Sequence, residues 1–278
     1  MLNNNLNNGK PFLRWIGGKR HLIHFLKDHL PPNFKEINRY LEPFLGAGSL
    51  FFGLKPSIAI LSDNNKNLIE CYKAVQIDPL SISKYLNEHL EHSNEKYYYC
   101  MREKYNCINF SIEKAALFIY LNKTCFNGIW RVNKNGKFNV PYGFKEPPSL
   151  PSEKDLVNAS IALKKAKIFH MDYKNILNYI DKNDFVYFDP PYPALNGTSC
   201  FTHYTKERFN RDDHINLSKI VKRLNEKNCY ILLSNADLPY IRSLYDDFNI
   251  FEKDVIRWVR SDGKRYKTKE IAITNYEL

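Results

Sequence analysis

The sequence predicts an α/β protein: a largely parallel sheet, interrupted by a mainly helical insertion that carries a β-hairpin. Three observations lead to that expectation. Phe185-Val186-Tyr187-Phe188 is an unbroken apolar run, the pattern of a strand covered on both faces, and it stops abruptly at Asp189-Pro190-Pro191-Tyr192. Arg39 to Phe44 reads as another strand, which runs through Glu42-Pro43-Phe44-Leu45-Gly46-Ala47-Gly48-Ser49, a G-x-G turn, into a short helix. From Pro79 to about Leu163 the alternation of strands and helices is abandoned, and afterwards it resumes. Residues 10–77 and 164–278 are therefore expected to form one domain around an insertion at 78–163.

Composition narrows the class. With 278 residues and 44% hydrophobic content the chain can bury a sizeable core without covalent staples. A formal charge of +11 and a pI near 9.2 favour a polyanionic partner, although a lysine-rich soluble protein has the same balance. The six cysteines (Cys71, Cys100, Cys107, Cys125, Cys200, Cys229) include no C-x-x-C pair, and the histidines show no zinc spacing. No metal and a reduced cytoplasmic setting are expected. MLNNNLNNGK lacks the apolar core of a secretion signal, and no run approaches membrane-spanning length, so no membrane partner is expected.

Taken in order, the chain begins polar and Asn-rich, then gives Arg14-Trp15-Ile16-Gly17-Gly18-Lys19-Arg20 ahead of a helix marked by Leu22, Phe25, Leu26 and Leu30. Aromatic and basic residues before a helix often form only a staple and a solvated face, but Trp15 suits covering a flat or cationic ligand and Lys19 suits meeting a carboxylate. The strand Ser57 to Leu61 ends at Ser62-Asp63-Asn64. A carboxylate at the tip of the second strand can accept from both hydroxyls of a ribose, or simply cap the next helix. The G-x-G turn lacks the third glycine of a dinucleotide fingerprint and the lysine of a P-loop, so a smaller nucleoside fits it better.

Helical periodicity runs through Leu80 to Leu90, Glu95 to Tyr105 and Ile112 to Leu121, interspersed with Lys84, Lys96, Arg102, Lys104, Lys114 and Lys123. In the stretch Asn122 to Tyr142, Asn135-Gly136 between alternating segments predicts a hairpin with basic, aromatic and amide side chains along it. Such a hairpin suits reading base edges in a DNA groove, or is a plain surface hairpin. Then come a strand at Ala166 to Phe169, Asp172 and Tyr173 before a short helix, and a small, polar loop at Ala194 to Tyr204. A helix through Leu217 and Leu224, a strand from Cys229 to Asn235, and a closing antiparallel pair around the basic turn 260–267 complete the chain.

The turn at Asp189 carries chemistry. An exocyclic amine on a nucleobase is a poor nucleophile because its lone pair is delocalised into the ring. If Asp189 and the Pro190 carbonyl each accept one of its hydrogens, the nitrogen is drawn toward tetrahedral geometry, and Tyr192 offers a ring to stack on. Two prolines fix the backbone there. The plainer alternative is a strand end with a rigid turn.

These pieces together resemble the Dam-type DNA adenine methyltransferases, orphan methylases and restriction-modification methylases with a DPPY motif, over nearly the whole chain. Arg14 to Lys19 is similar to the family's N-terminal cofactor motif, Glu42 to Ser49 to its glycine motif, and Asp189 to Tyr192 to its catalytic tetrapeptide, with the recognition insert between them. The resemblance implies a Rossmann-like methyltransferase fold that uses S-adenosylmethionine, leaves S-adenosylhomocysteine, and acts on an adenine rotated out of double-stranded DNA. It implies Asp189, Pro190, Pro191 and Tyr192 as catalytic residues. Trp15, Lys19, Glu42, Phe44, Gly46, Gly48, Asp63, Asp172, Tyr173 and Asp189 would hold the cofactor. Arg14, Phe126, Asn127, Ile129, Arg131 and Pro141 would contact DNA at GATC or a longer site containing GAT. A cognate restriction endonuclease acting separately would accompany a modification enzyme.

Two departures stand out. Phe126 replaces an intercalating tyrosine and keeps the stacking face. Phe144 stands where a relative has a phosphate-binding arginine, with Lys145 as the candidate substitute. An RNA base-amine methyltransferase and a catalytically silent DNA-binding relative are the rival readings, and a dehydrogenase is a distant third.

Overall fold

A computed structural model describes residues 10–144, 148–193, 209–258 and 265–278. The Asn-rich start, Lys145, the loop 194–204 and residues 260–264 of the basic turn lie outside the described residues.

Residues 10–77 hold α1 (Ile23–Asp28), β1 (Tyr40–Glu42), α2 (Ser49–Leu54), β2 (Ala59–Asp63) and α3 (Lys66–Ile77). β1 is shorter than the run Arg39 to Phe44 suggested, because Pro43 has no amide hydrogen with which to continue a ladder. Four helices follow: α4 (Pro79–Glu91), α5 (Glu95–Cys107), α6 (Ile112–Thr124) and α7 (Glu153–Leu163). Their starts are set by local chemistry, since Asp78, Asn94, Ser111 and Ser152 each accept a backbone N–H from the first turn. The chain then gives β3 (Ala166–His170), β4 (Phe185–Phe188), α8 (Arg211–Glu226), β5 (Tyr230–Ala236), α9 (Pro239–Leu244), β6 (Asn249–Trp258) and β7 (Arg265–Thr274).

The strands form one sheet in the order β3-β2-β1-β4-β5-β7-β6. β1 to β5 run parallel, whereas β7 is antiparallel to both β5 and β6. Chain progress reverses between β1 and β4, because β2 and β3 lie to one side and β5 to the other. A crevice at the carboxyl ends of such neighbours is where open α/β sheets take ligands. Glu42, Asp63, Asp189 and Ser234 all sit at or next to those ends.

One hydrophobic cluster covers each face of the sheet. The first joins Leu26, Phe51 and Tyr72 to Leu117, Trp130 and Leu156, so the insertion shares its core with the sheet. α6 is the reason: Ala115 to Leu121 are all buried, as expected for a helix apolar on every side. Tyr98, one of three consecutive tyrosines, is fully buried in the same cluster.

The hairpin forms, but through isolated antiparallel bridges, Val132 with Phe138 and Cys125 with Tyr142, instead of continuous strands. Its tip is a three-residue loop with Gly136 at φ 74°, closed by Asn133 N–H donating to Lys137 O at 2.8 Å. Side chains of α5 take over the missing ladder. Asn106 both accepts from Phe138 N (2.8 Å) and donates to Phe138 O (3.0 Å), and Tyr98 Oη donates to Val140 O (2.8 Å). Among the described residues no helix is long and apolar enough to cross a membrane.

Candidate active site

The turn after β4 is organised around Asp189. Lys19 Nζ lies 2.6 Å from Asp189 Oδ1 and donates to Gly17 O at 2.7 Å, while Ser234 Oγ, from the end of β5, donates to the same Oδ1 at 2.9 Å. Tyr187 Oη is 3.0 Å from Ser234 Oγ and extends the chain of contacts into the core. Both partners thus use one carboxylate oxygen. Among the described residues Oδ2 and the carbonyl of Pro190 are left as acceptors facing no donor. Burial pushes the Asp189 carboxyl above its ordinary range; Lys19 and the Ser234 hydrogen bond pull it back. Asp189 still keeps 17% of its side chain exposed, so it can be reached from outside.

Tyr192 stands beside this pair. The Lys19 ammonium is 4.3 Å from the centre of its ring, and its hydroxyl donates to Glu270 Oε2, on β7, at 3.0 Å. Pro190 is buried and Pro191 exposed, so the turn is anchored at one proline and faces outward at the other.

The glycine bend lies next to this turn. Gly46 adopts φ 47°, its N–H donates to Asp63 Oδ2 at 2.9 Å, and its carbonyl accepts from Tyr72 Oη at 2.9 Å. A Cβ on Gly46 would lie 2.9 Å from the Trp15 indole, so only glycine lets Trp15 cover the bend. Gly48, at φ 64°, leads into α2. Asp63 Oδ1 accepts from Asn65 N at 2.9 Å, which leaves each carboxylate oxygen one lone pair. Glu42 is buried and accepts from Tyr40 Oη at 2.8 Å. Burial pushes its carboxyl well above the ordinary range, Tyr40 pulls it back, and the charges of Asp189 and Asp63 add to the push. Phe44 stacks on Tyr173, with ring centres 5.1 Å apart. Asp172 caps the turn that follows β3 by accepting from Lys174 N at 2.9 Å. Between the ends of β2 and β3 opens a hollow of about 500 Å³ lined by Asn64, His170, Asp172 and Asn175.

The residues expected at DNA lie on the N-terminal segment and along the hairpin of the insertion. Asn122, fully buried at the end of α6, accepts from Arg14 N at 2.8 Å and donates to Arg14 O at 2.7 Å, fixing the N-terminal segment against the hairpin. Arg14 packs on Gly128, which has φ 66° and where a Cβ would come within 2.8 Å of the arginine side chain. Phe126, Asn127 and Pro141 are exposed, Asn127 with φ 60°, and Ile129 is half-buried. Trp130, Phe138 and Val140 point inward while Arg131 points outward, its Nε donating to Asn139 Oδ1 at 2.8 Å and its Nη2 to Asn139 O at 3.3 Å. The guanidinium therefore keeps donors on its outer edge for a base or phosphate. Phe144 is exposed at φ 50°, against Tyr142.

Sequence reading gave no role to Ser234, Glu270, Asn122 or Asn139. The first two belong to strands whose neighbours only the sheet order reveals, and the amides were read only collectively, as polar side chains of a hairpin suited to base edges or to plain surface.

A sheet in this order, with a glycine bend after β1 and a carboxylate-proline turn after β4, is a Rossmann-like α/β fold with a ligand crevice at its strand ends. The chain belongs to the D12 class N6 adenine-specific DNA methyltransferases, whose family model matches residues 15–259. It is 40% identical to the type II methyltransferase M.MjaIII of Methanocaldococcus jannaschii, across 96% of this chain and 99% of that one. It is 35% identical to the type II methyltransferase M1.LlaDCHI of Lactococcus lactis subsp. cremoris, across 99% of both. With the DNA adenine methylase of Escherichia coli K12 it shares 32% identity across 96% of this chain and 95% of that one. The protein is an adenine-specific DNA methyltransferase.

Proposed function

We propose that the chain methylates adenine within a specific double-stranded DNA site, GATC or a longer site containing GAT, with S-adenosylmethionine as donor. The observation that carries the assignment of the active site is the arrangement at Asp189. Lys19 and Ser234 hold one oxygen and leave the other, with the Pro190 carbonyl, as a rigid pair of acceptors beside an aromatic ring. Acceptors fixed before the reaction stabilise positive charge as it develops on the attacking amine and need no reorganisation.

The residues around the glycine bend fit the donor. Glu42, Asp63 and Asp189 stand at neighbouring strand ends, and the charges of Asp189 and Asp63 add to the upward push on the buried Glu42 carboxyl, a repulsion that a cationic ligand there would relieve. S-adenosylmethionine carries a sulfonium and an ammonium, and when bound it supplies the electrophilic methyl group. Asp63 would accept from ribose hydroxyls, Asp172 and the Phe44–Tyr173 stack would border the adenine, and Trp15 would close the bend. Tyr192 would stack on the extruded base while Asp189 and Pro190 hold its amine. No strong base is required, because the proton leaves a nitrogen that has become cationic.

Arg14, Phe126, Asn127, Ile129, Arg131 and Pro141 would contact DNA. Sequencing modified bases after expression in a methylation-deficient host tests the proposal. N6-methyladenine confined to GATC or a GAT-containing motif is expected; methylation without a shared GAT core would overturn the site.

A further inference from the structure

Glu270 lies on β7, opposite Ala236 of β5 and Lys253 of β6, far in sequence from the turn at Asp189. Only 1% exposed, it accepts the Tyr192 hydroxyl on Oε2 at 3.0 Å, and its Oε1 is 3.5 Å from Nε2 of His21. His21 lies two residues beyond Lys19, the end of the glycine-lysine motif, whose ammonium covers the Tyr192 ring. A buried carboxylate in the sheet thus joins the ring of the catalytic turn to the N-terminal motif. At its hydroxyl end the ring is held by Glu270, with Ser234 as a second hydrogen-bond partner, and Lys19 sits over its centre. Burial and the charges of Asp189 and Glu270 push the Tyr192 phenol well up, so the hydroxyl stays a donor across the working pH range.

We propose that Glu270 is a positioning residue for methyl transfer: it orients the Tyr192 ring as a stacking platform for the extruded base by accepting its hydroxyl. This rests on the active-site reading above. A platform whose tilt is fixed before the base arrives spares the ordering cost at the moment of binding, and the gain falls on the reactive complex. Glu270 would touch neither donor nor base.

Single-turnover methyl transfer on a duplex carrying the preferred site, alongside binding of S-adenosylmethionine, tests the inference. Tyr192→Phe removes the hydroxyl and keeps the ring; Glu270→Ala removes the acceptor; Glu270→Gln keeps an acceptor oxygen on Tyr192 and puts a donor toward His21. Tyr192→Phe and Glu270→Ala should each slow transfer about 10-fold, the loss of one hydrogen bond. The double variant should be no slower than either alone, and Glu270→Gln should stay within about threefold of the parent. Cofactor affinity should not change. Multiplying losses, a Glu270→Gln variant as slow as Glu270→Ala, or a Tyr192→Phe variant at the parent rate would overturn the role. If Glu270→Ala fails to fold, Tyr192→Phe and Glu270→Gln carry the test: a Tyr192→Phe variant at the parent rate, or a Glu270→Gln variant as slow as Tyr192→Phe, overturns the role. Asp189→Ala, run in parallel, separates the failures. If it stays active, the active-site reading is wrong; if it is inactive while Tyr192→Phe is unaffected, only the role of Glu270 is lost.

Discussion

Ser234 and Asp189 meet across adjacent parallel strands, the serine hydroxyl donating at 2.9 Å to the carboxylate oxygen that Lys19 also holds. One oxygen is thereby fixed, and among the described residues the other has no hydrogen-bond donor. Ser234→Ala should leave folding and cofactor binding intact, and should lower the transfer rate about 10- to 100-fold, the range for a lost hydrogen bond to a charged group. Single-turnover kinetics check this, and a parent-like rate would mean that Lys19 alone orients the carboxylate.

The same pair sets an acid limit. Burial holds the Asp189 carboxyl above its ordinary range, so as pH falls it protonates earlier than an exposed aspartate and stops serving as an acceptor. Activity should be full above that raised pKa and fall as pH drops through it. Ser234 opposes the shift, so its removal raises the pKa further, and the acid limb of Ser234→Ala should lie at higher pH than that of the parent. A limb that stays put or moves to lower pH would contradict the assignment of the ionisation to Asp189.

Arg131 is steered by Asn139 and keeps an outer edge of donors. Arg131→Ala should relax base preference by about 1–3 kcal/mol if that edge makes a bidentate contact to guanine. The measurement is the specificity constant on duplexes differing at one base pair. A uniform loss on every sequence would make Arg131 a phosphate contact instead.

Gly128 holds φ 66° with Arg14 packed against it. Gly128→Ala should cost about 1–2 kcal/mol of stability from the left-handed backbone alone, and should also displace Arg14. Denaturant titration and the same set of duplexes report the two effects; unchanged stability and unchanged discrimination together would show that the contact is slack.

What the sequence made legible was contiguous. Asp189 to Tyr192 and Glu42 to Ser49 each carry strand, turn and chemistry within a few residues, so apolar runs and glycine or proline breaks were enough to set them at strand ends. Asp63 was legible for the same reason. Glu270 was not: the closing strands were expected to pair with each other, but nothing local says that β7 inserts between β5 and β6, which brings Glu270 to Tyr192. Ser234 stood in an expected strand and gained a partner only when β5 lay beside β4. The hairpin was foreseen by its Asn-Gly tip, but its lack of regular ladders follows from Asn106 and Tyr98 on a different helix, a tertiary contact without a sequence pattern.

In the proposed reaction Asp189 holds the amine that is methylated. Transfer of a labelled methyl group to a GATC duplex by the purified Asp189→Ala variant, beside a titration of S-adenosylmethionine binding, tests it most directly. Transfer reduced by about 10²- to 10³-fold or more with donor binding largely retained is the expected result. Parent-like transfer by that variant would contradict the account.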